Sequence, residues 1–140
     1  MTEKANAQQL SFFPDEDSPA RREAQAQEER RAPQLSPRSP LSRALGAFEP
    51  YMAGRGFTEN TQQAFRLDME LLSDYLGPDK RLRDISTGSL NAFLKWMESG
   101  RGIPCSPKTM ERRITTLKVF FGWLAEEGYL PRDVAAPLIH

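Results

Sequence analysis

Large apolar side chains are distributed very unevenly along this chain of 140 residues. Residues 1–40 contain five side chains from the set Leu, Ile, Val, Met, Phe, Trp and Tyr, together with five of the eleven prolines, whereas residues 41–140 contain 34 from that set. A segment with so few apolar side chains cannot bury enough surface to offset the entropy of ordering it. We therefore predict a disordered tail over residues 1–40 and one folded domain over residues 41–140.

Two stretches of the tail differ from the rest in composition. Residues 20–32 are rich in Ala, Gln, Glu and Arg, which predicts a transient helix, but no apolar stripe would hold that helix against the domain. Residues 33–40 contain three prolines and are predicted to form an extended linker.

Balanced charge and scarce cysteine and histidine limit the chemistry that the chain can perform. Lys plus Arg equals Asp plus Glu at 19 each, which excludes a histone-like protein but not a local basic face. No apolar run predicts a membrane span or a signal peptide. The single cysteine, Cys105, and the single histidine, His140, exclude a disulfide framework and a Cys/His metal cluster, and we expect neither residue to be functional. These features predict a cytoplasmic protein without a cofactor, a membrane partner or its own catalytic centre.

The spacing of apolar residues in the second region predicts an all-α fold, a compact bundle of four main helices. No segment alternates between apolar and polar residues for more than four positions, as a half-buried strand would. Helix N-caps are predicted at Thr58, at Ser86 or Thr87, and at Ser106, which is followed by Pro107. The predicted helices span residues 41–53, 58–76, 86–100 and 106–127, with a short fifth helix allowed over 132–138.

Three residues do not fit the helices that contain them. Pro50 lies inside the first predicted helix, where proline removes a backbone hydrogen bond, so we expect a kink or a distorted last turn. Asp68 of the second helix and Arg113 of the fourth lie on apolar faces at about 100° per residue. Because a lone buried charge is costly, we expect them to form an ion pair that fixes the register of the two helices. In the alternative, Asp68 lies at the rim and bonds water or a helix N-terminus.

A polar stripe on the fourth predicted helix points away from its apolar face. Arg112 and Thr115 lie within about 40° of Lys108, close to the start of the helix. A helix N-terminus attracts phosphate, arginine can read guanine, and lysine neutralises backbone charge, so this stripe suits a DNA groove. The second helix has a parallel set of polar residues behind Thr58. The alternative interpretation is an ordinary solvated face.

Three long segments share their residue pattern with one known family. FTENTQQAFRLDMELLSDYL, residues 57–76, has a hydroxyl residue, a threonine three positions later, an aromatic, and then Arg and Asp. SPKTMERRITTLKVFFGWLAEEGYL, residues 106–130, has Ser, Thr, a basic pair, two aromatics and Trp-Leu. With LRDISTGSLNAFLKWM, residues 82–97, they resemble the second, fourth and third helices of the core-binding (N-terminal, SAM-like) domain of tyrosine recombinases and phage integrases. The resemblance covers about residues 41–136.

The resemblance implies a DNA-gripping domain that forms half of a C-shaped clamp. In the family, the second and fourth helices face the major groove of a recombination half-site, so double-stranded DNA is the expected partner, with other recombinase protomers assembled on it through a catalytic domain. Carried over to this sequence, the expected DNA-binding residues are Thr58, Gln62, Gln63, Arg66, Ser106, Lys108, Thr109, Arg112 and Thr115.

The sequence also departs from the family. The catalytic half of the family carries an Arg, a Lys, a His-x-x-Arg, a second His or Trp and a nucleophilic Tyr, and none of these can be assigned before His140. Asp-Val-Ala-Ala-Pro at 133–137 replaces a common Asn-Pro-Ala, and Phe65 replaces a common Tyr. This chain is therefore expected to bind DNA without cutting it. The rival hypotheses are a stand-alone DNA-binding regulator and a helical protein-interaction module that uses Trp96, Trp123 and the tail.

Overall fold

The computed structural model describes residues 18–23 and 34–139. The described residues 18–23 belong to a first unit, and the second unit begins at Leu35. One turn of helix covers 19–23, and the hydroxyl of Ser18 accepts a hydrogen bond from the backbone N–H of Arg21 at 3.1 Å. Most of the predicted tail, residues 1–17 and 24–33, lies outside the described residues, as does His140.

The second unit contains four main helices: α1 (Leu41–Gly54), α2 (Glu59–Leu76), α3 (Thr87–Lys95) and α4 (Pro107–Glu126). A short 3₁₀ turn, Leu82–Asp84, connects α2 to α3 and was not predicted. Within the described ranges the only β pairing is one isolated bridge between Pro40 and Arg81. The prediction of an all-α fold with four main helices is confirmed.

Side-chain caps and glycines set the helix boundaries close to where the sequence predicts them. The side chains of Thr58, Ser86 and Ser106 each accept a backbone N–H from the first turn of the helix that follows. Gly77 ends α2 with a φ of 101°, and Gly128 follows α4 with a φ of 77°, values that residues with a Cβ rarely adopt.

Helix α1 runs without interruption through Pro50. The last turn keeps its hydrogen bonds, because the N–H of Arg55 donates to the carbonyl of Tyr51 at 3.0 Å and the N–H of Gly56 donates to Ala53 at 3.1 Å. The last turn is therefore not distorted, since the backbone bond that proline removes lies one turn earlier, at the carbonyl of Gly46. The alternative expectation, a kink at Pro50, stays a prediction.

The helical segment that starts with α3 continues to Gly100, as predicted. Its last five residues, Trp96–Gly100, follow α3 as a wider π-helical turn. A Cβ at Gly100 would lie 2.8 Å from Cδ1 of the Trp96 ring. Glycine, which has no Cβ, therefore fits at the end of this wide turn without displacing the indole.

The short fifth helix predicted over residues 132–138 is wrong. The chain makes turns there, in which the N–H of Ala136 donates to Asp133 and the N–H of Leu138 donates to Ala135. The carboxylate of Asp133 also accepts the N–H of Ala135 at 2.9 Å. Pro137 has no N–H to continue a helix, so only single turns form.

The folded unit begins six residues earlier than the boundary predicted at residue 41. Leu35 is buried with the core, and the carbonyls of Pro37 and Ser39 accept the N–H groups of Arg83 and Leu82 at 2.9 and 3.0 Å. The prediction of a disordered tail with an extended linker is therefore wrong for residues 35–40, because Pro37 and Ser39 offer their carbonyls to the connection between α2 and α3.

Contacts between side chains show the relative directions of α1, α2 and α4. Phe48 lies 5.0 Å from Phe120, and Tyr51, three residues later, lies 5.0 Å from Trp123, so α1 and α4 run in the same direction. A short turn joins α1 to α2 and the carboxylate of Glu49 contacts the second turn of α2, so α2 runs in the opposite direction to both. The central fully buried side chains are Phe48, Met52, Met69, Leu72, Leu90, Phe93, Leu117, Phe120 and Phe121.

Candidate nucleic-acid interface

Lys108, Arg112 and Thr115 form an exposed stripe along α4, which we call the α4 stripe. Lys108 makes no hydrogen bond or ion pair to any residue in the described part of the chain. The hydroxyl of Thr115 donates to the backbone carbonyl of Glu111 at 3.1 Å, one turn earlier. The stripe predicted from the helical spacing therefore faces solvent over two turns.

The N-terminus of α4 uses both of its predicted hydroxyl residues for its own cap. The Oγ of Ser106 accepts the N–H of Thr109 at 3.1 Å and donates to the Thr109 hydroxyl at 2.9 Å. Both residues lie at the end of the helix that attracts anions. They shape that end, and each hydroxyl keeps lone-pair or donor capacity for a further contact.

Arg112 is exposed but not free. Its Nε donates to Oδ2 of Asp68 at 3.0 Å and its Nη2 donates to Oδ1 at 2.5 Å, a two-pronged contact between α4 and α2. These hydrogen bonds raise the pKa of Arg112 above its ordinary value. Part of this side chain remains accessible, since 41% of it is exposed against 2% of Asp68.

Asp68 also meets the partner that its position predicts. Nε of Arg113 lies 3.4 Å from Oδ1 of Asp68, and the hydroxyl of Thr116 lies 2.8 Å from Oδ2. Asp68 is 1% exposed, so the alternative that places it at the rim is wrong. The predicted contact between Asp68 and Arg113 is present, and Asp68 also contacts Arg112 and Thr116 of α4. How much the ion pair contributes to the stability of the domain stays a prediction.

Cys105 belongs to the same cluster, which sequence reasoning did not foresee. Nη1 of Arg113 lies 2.9 Å from the Cys105 sulfur, and the cysteine is half-buried. The residue precedes the N-cap of α4, where helical periodicity does not apply, so the sequence holds no signal for this contact.

Arg66 faces away from the α4 stripe. Its Nε and Nη2 donate to the two carboxylate oxygens of Glu49 on α1, at 2.6 and 2.9 Å. The pKa of Glu49 is lowered by this bond and that of Arg66 is raised. At about 100° per residue, Arg66 and Asp68 point to nearly opposite sides of α2. The structure therefore separates Arg66 from Arg112 instead of bringing them together.

The other predicted residues of α2 have mixed surroundings. Thr58 is the N-cap and its hydroxyl donates to Thr61 at 2.9 Å. The amide of Gln62 donates to the backbone carbonyl of Phe57 at 2.8 Å, which holds it against the turn before the helix. Gln63 is exposed and has no side-chain partner among the described residues, which leaves it the freest polar side chain of this set.

The predicted residues of α2 and α4 lie at different levels along the two helices. Phe57, just before α2, and Val119 of α4 line the same cavity of about 220 Å³, whereas Asp68 meets the first third of α4. The start of α2 therefore lies beside the middle of α4. Lys108 lies one turn closer to the N-terminus of α4 than Arg112, the residue that contacts Asp68. Leu67, which is 52% exposed and next in sequence to Asp68, occupies the outer side of α2, an exposed apolar position that a pattern of polar residues does not predict.

The two tryptophans do not form an exposed docking surface. Trp123 is buried and contacts Phe48 and Tyr129 at ring distances of 5.5 and 6.0 Å. Trp96 is half-buried and lies 5.0 Å from the Tyr75 ring. These contacts are those of core and core-edge residues, which removes the main support for a Trp-based interaction module.

The family of the chain follows from the match of its sequence over these helices. The family described as phage integrase, N-terminal SAM-like domain, matches residues 46–128, which is more than half of the chain. The chain therefore belongs to this family, and its folded unit is a core-binding domain of the tyrosine recombinase type.

Individual relatives agree with this assignment. The tyrosine recombinase XerC of Mycobacterium leprae (strain TN) is 32% identical over 96 residues, which cover 67% of this chain and 31% of the relative. The tyrosine recombinase XerD of Listeria monocytogenes is 29% identical over 79 residues, 56% of this chain and 27% of the relative. The match thus spans about a third or less of these relatives. No solved structure matches the chain.

Two other features are absent from the described residues. They contain no group of three or more His, Cys, Asp or Glu side chains arranged to hold a metal ion. None of their helices combines the length and the apolar character that crossing a bilayer requires.

Proposed function

We propose that this core-binding domain binds double-stranded DNA and grips one half of a recombination site through α4 and the adjoining part of α2. The observation that carries the proposal is the α4 stripe, in which an unpartnered lysine and an anchored arginine face solvent together near a helix N-terminus. Helices with basic residues at this end bind phosphates and enter the major groove in many DNA-binding folds.

The charge of the interface supports α4 more strongly than the far side of α2. Asp68 is one negative charge surrounded by two arginines, so the cluster keeps one positive charge. Lys108 adds another and the exposed Glu111, one turn before Thr115, subtracts one, so this face keeps a net positive charge. On the other side of α2, Arg66 lies near both Glu49 and Glu70. That side carries a net negative charge and would repel phosphate. We therefore retain the α4 stripe, Ser106, Thr109 and Thr58 as DNA contacts. We place Gln62, Gln63 and Arg66 outside the interface, since Gln63 lies one turn from Arg66 and two turns from Glu70 on the same side of α2.

We assign strand cleavage and religation to a separate catalytic half, since the relatives are named tyrosine recombinases and the match covers a third or less of their length. In this proposal the core-binding domain binds the recombination half-site and so positions the catalytic half on the DNA. Protomers bound to adjoining half-sites would meet through the catalytic halves, and the present chain alone would bind DNA weakly because one module of a clamp makes few contacts.

A salt titration of DNA binding with two matched lysine variants tests the proposal. Lys108 and Lys95 are both exposed, and neither has a side-chain partner among the described residues. Anisotropy of a labelled duplex should show binding that weakens steeply between roughly 50 and 200 mM salt. Lys108→Ala should reduce the slope of log affinity against log salt by about one, whereas Lys95→Ala, on α3, should leave it unchanged.

Two results would contradict the proposal. One is the absence of binding to any duplex at low salt, tested with arbitrary sequences and with known recombination sites. The other is an equal effect of the two lysine variants, which would mean that the DNA responds to overall charge and not to the α4 stripe.

A further inference from the structure

Arg112 keeps one edge of its guanidinium group without a hydrogen-bond partner among the described residues, and 41% of its side chain is exposed. The contact with Asp68 uses Nε and one proton of Nη2. Both protons of Nη1 and the second proton of Nη2 remain, and one proton of each nitrogen lies on the terminal edge of the planar group. Two donors on that edge match the O6 and N7 acceptors of guanine in the major groove.

We propose that Arg112 reads a guanine in the target site and that Asp68 is the positioning residue that holds its guanidinium plane for this contact. The inference rests on the DNA-binding function proposed above and assigns a base preference to one residue of that interface. Asp68 itself does not touch DNA, since its side chain is only 2% exposed.

The surroundings of Asp68 make it a fixed support. Its two oxygens face four donors: Nε and Nη2 of Arg112, Nε of Arg113 and the hydroxyl of Thr116. A carboxylate has about four lone-pair positions, so these donors occupy its capacity. Rotation of Asp68 would break contacts to all three residues, and Arg112 is therefore held to one orientation before any ligand arrives.

An arginine held in this way suits base reading better than phosphate binding. A phosphate contact needs a positive charge within reach, which the unpartnered Lys108 supplies without a fixed geometry. Reading a base needs a plane in register with the base edge, and fixing that plane in advance lowers the entropy lost on binding. The other forked arginine, Arg66, is held by an exposed carboxylate on an acidic flank and shares none of these properties.

Selection from a randomised duplex pool tests the inference directly. The wild-type chain should enrich a motif with guanine at one position, preferred by about 5- to 150-fold over the other bases, as expected for one bidentate contact. Arg112→Ala should lose the preference at that position and keep the rest of the motif. Lys95→Ala serves as the control and should select the wild-type motif.

Replacement of that guanine by 7-deazaguanine separates base reading from a structural effect. The substitution removes only the N7 acceptor, so it should weaken the wild-type chain and leave Arg112→Ala unaffected. Asp68→Asn keeps the size of the side chain but loses its charge, and it should respond less to 7-deazaguanine than the wild type while its salt slope stays the same. If Asp68→Asn does not fold by circular dichroism, Asp68→Glu carries the same expectation.

The outcomes distinguish the two proposals. If the wild type binds no duplex, the proposed function itself fails. If the wild type selects a motif and Arg112→Ala selects the same guanine, or if 7-deazaguanine weakens both equally, DNA binding stands and guanine reading by Arg112 is overturned. If Arg112→Ala loses the guanine but the folded Asp68 variant responds to 7-deazaguanine as the wild type does, positioning by Asp68 is overturned.

Discussion

Asp68 and Glu49 each accept a two-pronged hydrogen bond from an arginine, but only Asp68 is buried. Asp68→Ala leaves the guanidinium of Arg113, 9% exposed, without its carboxylate. Thr116 loses less, because its hydroxyl also lies 3.0 Å from the backbone carbonyl of Arg112. Glu49→Ala instead releases an arginine that water already reaches. The two variants therefore remove similar contacts from opposite environments.

The expected effects differ in size. Removing one partner of a buried ion pair costs about 3–5 kcal/mol, a large part of the roughly 5–15 kcal/mol that stabilises a typical domain. With a urea m-value near 2 kcal/mol/M, a loss of about 4 kcal/mol lowers the unfolding midpoint by about 2 M. Glu49→Ala should move the midpoint very little, since exposed pairs contribute little to stability.

Urea unfolding followed by circular dichroism measures both variants, and a double-mutant cycle completes the test. Asp68→Ala combined with Arg113→Ala should cost less than the sum of the single changes, by roughly 0.5–3 kcal/mol, because the second change removes the stranded charge. Additive costs, or an Asp68→Ala midpoint close to that of Glu49→Ala, would refute the view that the buried carboxylate joins α2 to α4.

Further variants test the caps, the boundary of the domain and one titrating group. Ser106→Ala should cost about 1 kcal/mol in urea unfolding, and a wild-type midpoint would mean that the cap does not form. Deleting residues 1–33 should leave the melting temperature unchanged, whereas deleting 1–38 should lower it by removing buried Leu35; equal effects would contradict the new boundary. Because the pKa of Glu49 is lowered on folding, its contribution is complete above its unfolded-state pKa and is lost as pH falls through the folded value. Glu49→Gln should therefore lose less stability than the wild type on acidification, and parallel melting curves against pH would argue otherwise.

The helices and their boundaries were predictable because local chemistry determines them. Thr58 and Ser106 are followed by amphipathic spacing, and Gly77 and Gly128 stop the helices that precede them, so no long-range contact is needed to place the ends. The segment 35–40 could not be placed in this way. Its proline content favours an extended chain, and only the carbonyl acceptors that it offers to the α2–α3 connection show that it belongs to the domain.

The candidate interface was predictable in part. Helical periodicity predicts correctly that Lys108 and Arg112 share an exposed side, and that Asp68 lies inward. It cannot show which carboxylate an arginine will meet, because Arg66 and Arg112 have equally plausible outward positions on their own helices. The choice depends on the direction of the neighbouring helices, which a single sequence does not specify.

The cluster around Asp68 has a consequence for exchanging parts between recombinases. Its carboxylate comes from α2, while its donors Arg112, Arg113 and Thr116 all come from α4. A chimera that receives one of these helices from a relative keeps the network only where that helix supplies the same acid or the same donors. Retargeting such a domain therefore calls for moving both helices together, or for varying only the solvent side of α4.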